Sequence, residues 1–215
     1  MTAKNDPRPM GLRERKKADR YDGILRSAGA LFARNGYPAT SMEAIAAAAD
    51  ISPTTLYNYF GTKKQILLAM ITRSDEELLQ RESTLELDRR LSSTDHIVGF
   101  LRRLTQHSLK QIDRATWRYA IAHTLVTENA EDIKEEYGRI NARLLSYIVS
   151  FLKELKAKGL LPQNTKVDPL GEMVFDMFRI LFIRLIANEA MTDRTHHHLL
   201  KRYISAAIAA EVERA

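Results

Sequence analysis

Apolar residues recur every three or four positions along most of the chain, and no stretch alternates apolar and polar residues as a half-buried strand would. The pattern predicts helices throughout. Ile24, Ala28, Leu31 and Phe32 share one face of a first helix expected over 19–35, and Gly36 follows where a left-handed C′ residue is wanted. Thr40-Ser41-Met42-Glu43 reads as a capping box for a short second helix, with Ile45 and Ala46 inward and an end near Ala49-Asp50. Ser52 as N-cap and Pro53 at the first helical position open a third, which ends near Phe60-Gly61. Thr62-Lys63-Lys64-Gln65 repeats the capping box and opens a fourth that runs past Ile66, Met70 and Ile71. Longer amphipathic helices are expected near 94–112, 115–127, 130–158, 168–190 and 195–213, with breaks at Gly159, Pro162 and Asp168-Pro169. The apolar spacing lapses at 72–77, so a domain boundary is expected inside the fourth helix. The resulting division is an arm over 1–18, expected to be disordered, a helix-turn-helix domain over 19–72, and a larger helical domain over 73–215.

Composition narrows the class. Of the 215 residues, 45% are hydrophobic and 28% charged, as in ordinary globular proteins, and the absence of cysteine excludes disulfides and thiolate metal sites. The first residues lack the apolar core of a secretory signal. The most apolar stretch, Met173 to Met191, is broken by Asp176, Arg179, Arg184 and Glu189. Each such charge costs about 2.5–3.5 kcal/mol at a bilayer centre, so a buried helix is expected there and no membrane span. A cytoplasmic protein is the expectation. The net charge of +6 lies wholly in the first third: residues 1–73 hold 12 Lys/Arg against 6 Asp/Glu, whereas 74–215 hold 21 of each. That asymmetry fits a polyanion-binding module. It fits equally a solvated basic tail, since Arg13, Arg15, Lys16 and Lys17 precede the expected first helix.

Residues 51–65, ISPTTLYNYFGTKKQ, favour the first reading. Two short helices joined through Ala49-Asp50-Ile51-Ser52 have helix-turn-helix spacing. Leu56 and Phe60, at i and i+4, face Ile45 and Ala46, which leaves Thr54, Thr55, Tyr57, Asn58 and Tyr59 on the other faces. The unpaired N–H groups of a helix start favour phosphate oxygens, and hydroxyls, Asn58 and threonine methyls suit phosphates and base edges. Lys63 opens the next helix within reach of a backbone. In order, LFARNGY, Thr40, IAAAADIS and TLYNYFGTKKQ resemble the TetR family of bacterial transcriptional regulators over about Tyr21 to Met70. The resemblance implies backbone contacts from Thr40, Tyr57, Tyr59 and Lys63, and groove contacts from Ser52, Pro53, Thr54, Thr55 and Asn58. It departs at Asp50, where the family usually has glycine, and at Tyr59, where it often has histidine; aspartate tolerates the left-handed region better than most residues.

The fold implied is all-α: an N-terminal three-helix DNA-binding domain joined through a shared helix to a larger effector-binding and dimerisation domain. Residues 168–190 are apolar on nearly all faces, which demands burial on both sides. Met177, Leu181 and Leu185, with Leu200, Tyr203 and Ala207 of the last helix, are therefore expected at a homodimer interface, as the resemblance also implies. Phe100, Leu104, His107, Trp117, His123, Tyr137 and Phe178 are the candidate lining of a pocket for a small hydrophobic or aromatic effector. No metal or cofactor is expected, because the adjacent histidines 196–198 point in different directions on a helix. No G-x-S-x-G, H-E-x-x-H or Gly-rich phosphate loop suggests an enzyme. The expected function is a ligand-responsive repressor released from a palindromic double-stranded operator. A sequence-nonspecific DNA binder and an activator are the alternatives.

Overall fold

Helix boundaries in the first part of the chain follow from a few capping hydrogen bonds. A computed structural model describes residues 11–82, 87–126 and 131–213; the side chains of 75, 79–82, 123–126, 131–134, 136 and 211–213 are outside that description. The described residues form helices and no strand: α1 (Leu12–Asn35), α2 (Met42–Ala48), α3 (Pro53–Tyr59), α4 (Lys63–Glu82), α5 (Ser93–Gln111), α6 (Arg114–Val126), α7 (Glu131–Ala157), α8 (Val167–Ala187) and α9 (Asp193–Glu213). Two compact units divide between Ile66 and Leu67, inside α4 and about two turns before the lapse at 72–77.

In the first unit, α1 begins at Leu12 rather than near Asp19. The Gly11 N–H donates to the Glu14 carboxylate at 3.2 Å, a capping signal in the first turn. Residues 12–18, expected as part of a disordered arm, are thus helical, and residues 1–10 of that arm lie outside the described residues. Gly36 ends α1 with φ 79° and ψ 151°, a region open essentially to glycine alone, and its N–H donates to the Phe32 carbonyl at 2.9 Å. Ser41, not Thr40, caps α2, its Oγ accepting from the Ala44 N–H at 3.0 Å. Thr40 instead turns its hydroxyl back onto the Gly36 and Leu31 carbonyls, at 2.9 and 3.4 Å. Asp50 takes the positive φ of 54° that the turn requires. The Ser52 and Thr62–Gln65 caps form as expected: Ser52 Oγ accepts from the Thr55 N–H at 3.1 Å, and Thr62 and Gln65 exchange side-chain-to-backbone bonds at 3.2 Å each.

The second unit surrounds one core, to which α5 gives Ile97, Leu101 and Leu104, α7 gives Leu152 and Leu155, α8 gives Leu170, Val174 and Leu181, and α9 gives Leu200 and Ile204. No helix among the described residues is long and apolar enough to cross a membrane. Helices α7 and α8 meet closely at Gly171, where an added Cβ would lie 2.5 Å from Val149 Cγ2 and 3.6 Å from its Cα. Valine is stiff at χ1, so the helices themselves would have to part. Gly171→Ala is therefore expected to lower the unfolding free energy by about 1–3 kcal/mol, read by denaturant titration; an unchanged midpoint would show that the contact yields freely.

His196 in the first turn of α9 is 2% exposed, and its Nε2 has no hydrogen-bond partner among the described residues. Burial outweighs the neighbouring Asp193 and pushes its pKa from 6.5 down to about 4. The unfolded chain takes up a proton near 6.5 that the native fold refuses until about 4, so stability is lost as the pH falls through that window. Thermal unfolding between pH 7 and 4.5 is expected to show a steeper loss in the wild type than in His196→Leu; parallel curves would exclude His196 as the titrating group.

Candidate functional site

A seven-residue helix has few sides to share, and α3 divides them sharply. Leu56 and Phe60 are buried, at 0% and 5% exposure, whereas Tyr57 is 48% exposed. Ser52, Pro53, Thr54 and Asn58 are exposed, and Thr55 and Tyr59 are half-buried. The outer face is polar and partly pre-ordered: Ser52 Oγ lies 2.8 Å from Thr55 Oγ1, and the Tyr57 hydroxyl donates to Glu43 Oε1 at 3.4 Å. Tyr21 of α1 packs on Phe60 with ring centroids 5.1 Å apart, which seats the end of α3 against α1.

An open groove runs from Asn58 and Tyr59 to the start of α1, lined there by Arg13, Lys16, Lys17 and Arg20. These residues recur at i, i+3/i+4 and i+7, so helix formation gathers them on one side. None of the four has an ion pair or hydrogen bond among the described residues. Four unneutralised cations beside exposed hydroxyls, an amide and a phenol make a surface suited to a phosphate backbone.

The second unit holds a narrow cleft of about 60 Å³, partly open to solvent, walled by α4, α5, α6, α7 and α8. Its walls are mainly apolar and aromatic, with Ile71, Leu104, Trp117, Tyr137, Phe178 and Phe182 among them. Trp117 meets Phe182 edge-on at 5.1 Å, and Phe182 stacks with Phe178 at 6.1 Å. The Trp117 indole N–H donates to the Ser108 carbonyl at 3.3 Å, which fixes the ring.

The family description for bacterial regulatory proteins of the tetR family matches residues 24–70, the stretch that builds α1 to α4 around the polar face. Residues 24–70 carry the DNA-binding domain of the TetR family. It is 35% identical over 78 residues to the HTH-type transcriptional regulator TcmR of Streptomyces glaucescens, an alignment spanning 36% of this chain and 34% of that relative. The chain thus covers about a third of the length of that relative. Similarity of fold extends further. Salmonella enterica GusR matches with a TM-score of 0.66 over 89% of this chain and 96% of its own, at 21% identity. Thermus thermophilus FadR, a TetR-family repressor solved with lauroyl-CoA, matches at 0.67 over 87% and 92%, at 20% identity.

Around this domain the expected residues are placed unequally. Ser52, Pro53, Thr54, Tyr57 and Asn58 are together on the exposed face, with Thr55 and Tyr59 at its edges. Thr40 and Lys63 do not join them. Thr40 is 2% exposed, and its hydroxyl is directed at the Gly36 and Leu31 carbonyls. The Lys63 ammonium donates to the Tyr37 and Thr40 carbonyls at 2.6 Å each and to that of Pro38 at 3.2 Å, using all three of its hydrogens. It also sits 4.5 Å over the Tyr37 ring, and burial lowers its pKa from the usual lysine value. Arg20 was the cation missed from sequence; only the helical start at Leu12 brings it into register with Arg13, Lys16 and Lys17.

Of the expected cleft residues, Leu104, Trp117, Tyr137 and Phe178 line it. Phe100 does not: it is buried in the core and stacks on Phe151 at 5.0 Å. His107 is half-buried away from the lining, and the His123 side chain lies outside the described residues. Ser108, Asn141 and Arg179 are lining residues that apolar periodicity had no means of finding. Of the expected dimer residues, Leu181, Leu185, Leu200 and Ala207 are at most 7% exposed within the single chain. Met177 and Tyr203 remain half-buried. The apolar surface of α8 that faces outward is instead Met173 and Ile180, at 38% and 59% exposure. Among the described residues, no cluster of His, Asp or Glu able to hold a metal occurs.

Lys63→Met removes three hydrogen bonds from the 37–40 loop. It is expected to lower the stability of the first unit by about 1–3 kcal/mol and to speed amide exchange at residues 36–41. Unchanged exchange, with only a salt slope of DNA binding reduced by about one, would make Lys63 a phosphate contact after all.

Proposed function

We propose that the chain is a dimeric, ligand-responsive regulator of transcription that represses by holding a palindromic operator and releases it when a small, largely apolar effector occupies the cleft. The observation that carries this reading is the pairing of the exposed α3 face with the unneutralised cations of α1. Exposed Ser52, Pro53, Thr54 and Asn58 at the start of α3 suit base edges, and Tyr57 and Tyr59 suit the flanking phosphates. Repression is favoured over activation by analogy with FadR, which shares the fold and is described as a repressor.

Reading a palindrome requires two copies, with recognition helices roughly 34–36 Å apart. The stripe of exposed Met173, Ile180 and Ala187 with half-buried Met177, at i, i+7, i+14 and i+4 of α8, is the surface proposed for that pairing. Effector binding would act through α4, which contributes Lys63 to the loop clip and Ile71 to the cleft wall. Moving such a two-state system from 1:99 to 99:1 requires about 5.5 kcal/mol of differential affinity.

Selection from a random duplex pool at physiological salt is expected to recover a palindrome. On it, Asn58→Ala costs roughly 1–3 kcal/mol at particular base pairs, whereas Lys17→Ala weakens all sequences alike. Ile180→Glu is expected to give folded monomers by sedimentation, with operator affinity lost. Recovery of no consensus, with binding that falls steeply with salt, would favour the sequence-nonspecific reading.

A further inference from the structure

The cleft contains a charge that an apolar effector alone would not explain. Among its lining residues Arg179 carries the one guanidinium; the polar remainder includes Ser108, Tyr137 and Asn141. Other arginines nearby are committed: Arg118 donates to the Ile186 carbonyl and Glu189, and Arg114 to the Met191 carbonyl and Asp193. Arg179 has no carboxylate or hydrogen-bond acceptor among the described residues. Asp176, one turn before it, is exposed and makes no ion pair with it. Its guanidinium lies 5.4 Å from the centroid of the Phe175 ring. A guanidinium held by a ring alone leaves its N–H fork available to a carboxylate.

We infer that the effector is an anionic amphiphile, a monocarboxylate with an aromatic or aliphatic body, whose carboxylate is received by Arg179 while its body lies against Trp117, Phe178 and Phe182. A neutral apolar compound filling the cleft would strip water from the guanidinium and return nothing, which disfavours it. A carboxylate replaces that water with a bidentate, charge-assisted pair. The same residue therefore attracts acids and penalises their uncharged analogues. This rests on the cleft being the effector site.

The test uses 2-naphthoate and decanoate, each against its own primary amide, with the full-length protein. Affinities come from calorimetry, and occupancy of the cleft from the fluorescence of Trp117, the chain's single tryptophan. The acids are expected to bind at least about tenfold more tightly than the amides, a preference lost in Arg179→Met and partly kept in Arg179→Lys. Amide affinity that is unchanged or raised in Arg179→Met shows that the variant is folded. Equal binding of acid and amide with a Trp117 response would overturn the charge assignment and leave the cleft standing as an effector site. An acid preference that survives Arg179→Met would likewise overturn the role of Arg179. No binding and no Trp117 response from any of the four would overturn the cleft as effector site, and the inference with it.

Discussion

A helix of seven residues is far below the length at which a helix holds itself in water, so α3 exists only because its surroundings fix both ends and one face. Ser52 caps its start, Pro53 presets its first turn, and burial of Leu56 and Phe60 fixes its roll. Everything about the outward face follows from that anchoring. With two of its residues buried and the rest too few to hide, Thr54, Tyr57 and Asn58 have nowhere to go but outward. The partner surfaces must then be rigid, which is where the small bonds of the 36–41 loop matter. Gly36 supplies a backbone geometry denied to other residues, and Thr40 and Lys63 close the carbonyls that the turn would leave unpaired. A buried carbonyl without a donor costs about as much as a lost hydrogen bond, so these groups are recruited inward.

The same economy explains what could be read from the chain beforehand. Caps are local, and Ser52-Pro53, Thr62–Gln65 and Asp50 were legible because each acts within four residues. Thr40 and Ser41 are adjacent capping types, and sequence alone does not say which one caps. Tertiary demand decided it, since Thr40 was needed nine residues back at Leu31. Lys63 misled for a related reason. A lysine opening a helix beside a DNA-binding face suggests phosphate, yet its carbonyl partners lie 23 to 26 residues away in the chain. The extra helical turns before Asp19 rest on Gly11 and Glu14, a weaker signal that the density of positive charge obscured.

In the second unit the limit is one of direction. An α8 that is apolar nearly all round declares that it is buried, but not which stripe meets its own chain and which meets another. Leu181 and Leu185 face the chain's interior, while Ile180, one position away, faces out. At 100° per residue, adjacent positions cannot share a face, so one register error exchanges the two sets. Periodicity found the four large cleft residues, Leu104, Trp117, Tyr137 and Phe178, because size and apolarity are what it detects. It passed over Arg179, a charge on an apolar helix, whose meaning depends on the absence of an acid nearby.

That absence is the feature with chemical consequence. Most cations at the seams of the second unit are answered: Arg143 by Glu76, Arg118 by Glu189 and the α8 C-terminus, Lys201 by Asp95. Arg179, at a cleft wall, has no such partner among the described residues. Polar groups near apolar walls are tolerated when water or a ligand completes them. Water can complete Arg179 while the cleft is open, and a ligand that closes the cleft must take over that task. The requirement ties recognition to occupancy: the body of the ligand excludes solvent, and its charge makes that exclusion tolerable. Selectivity for an acid then needs no further device, because the apolar walls of Trp117, Phe178 and Phe182 alone would accept many neutral compounds, and the one charge among them rejects these.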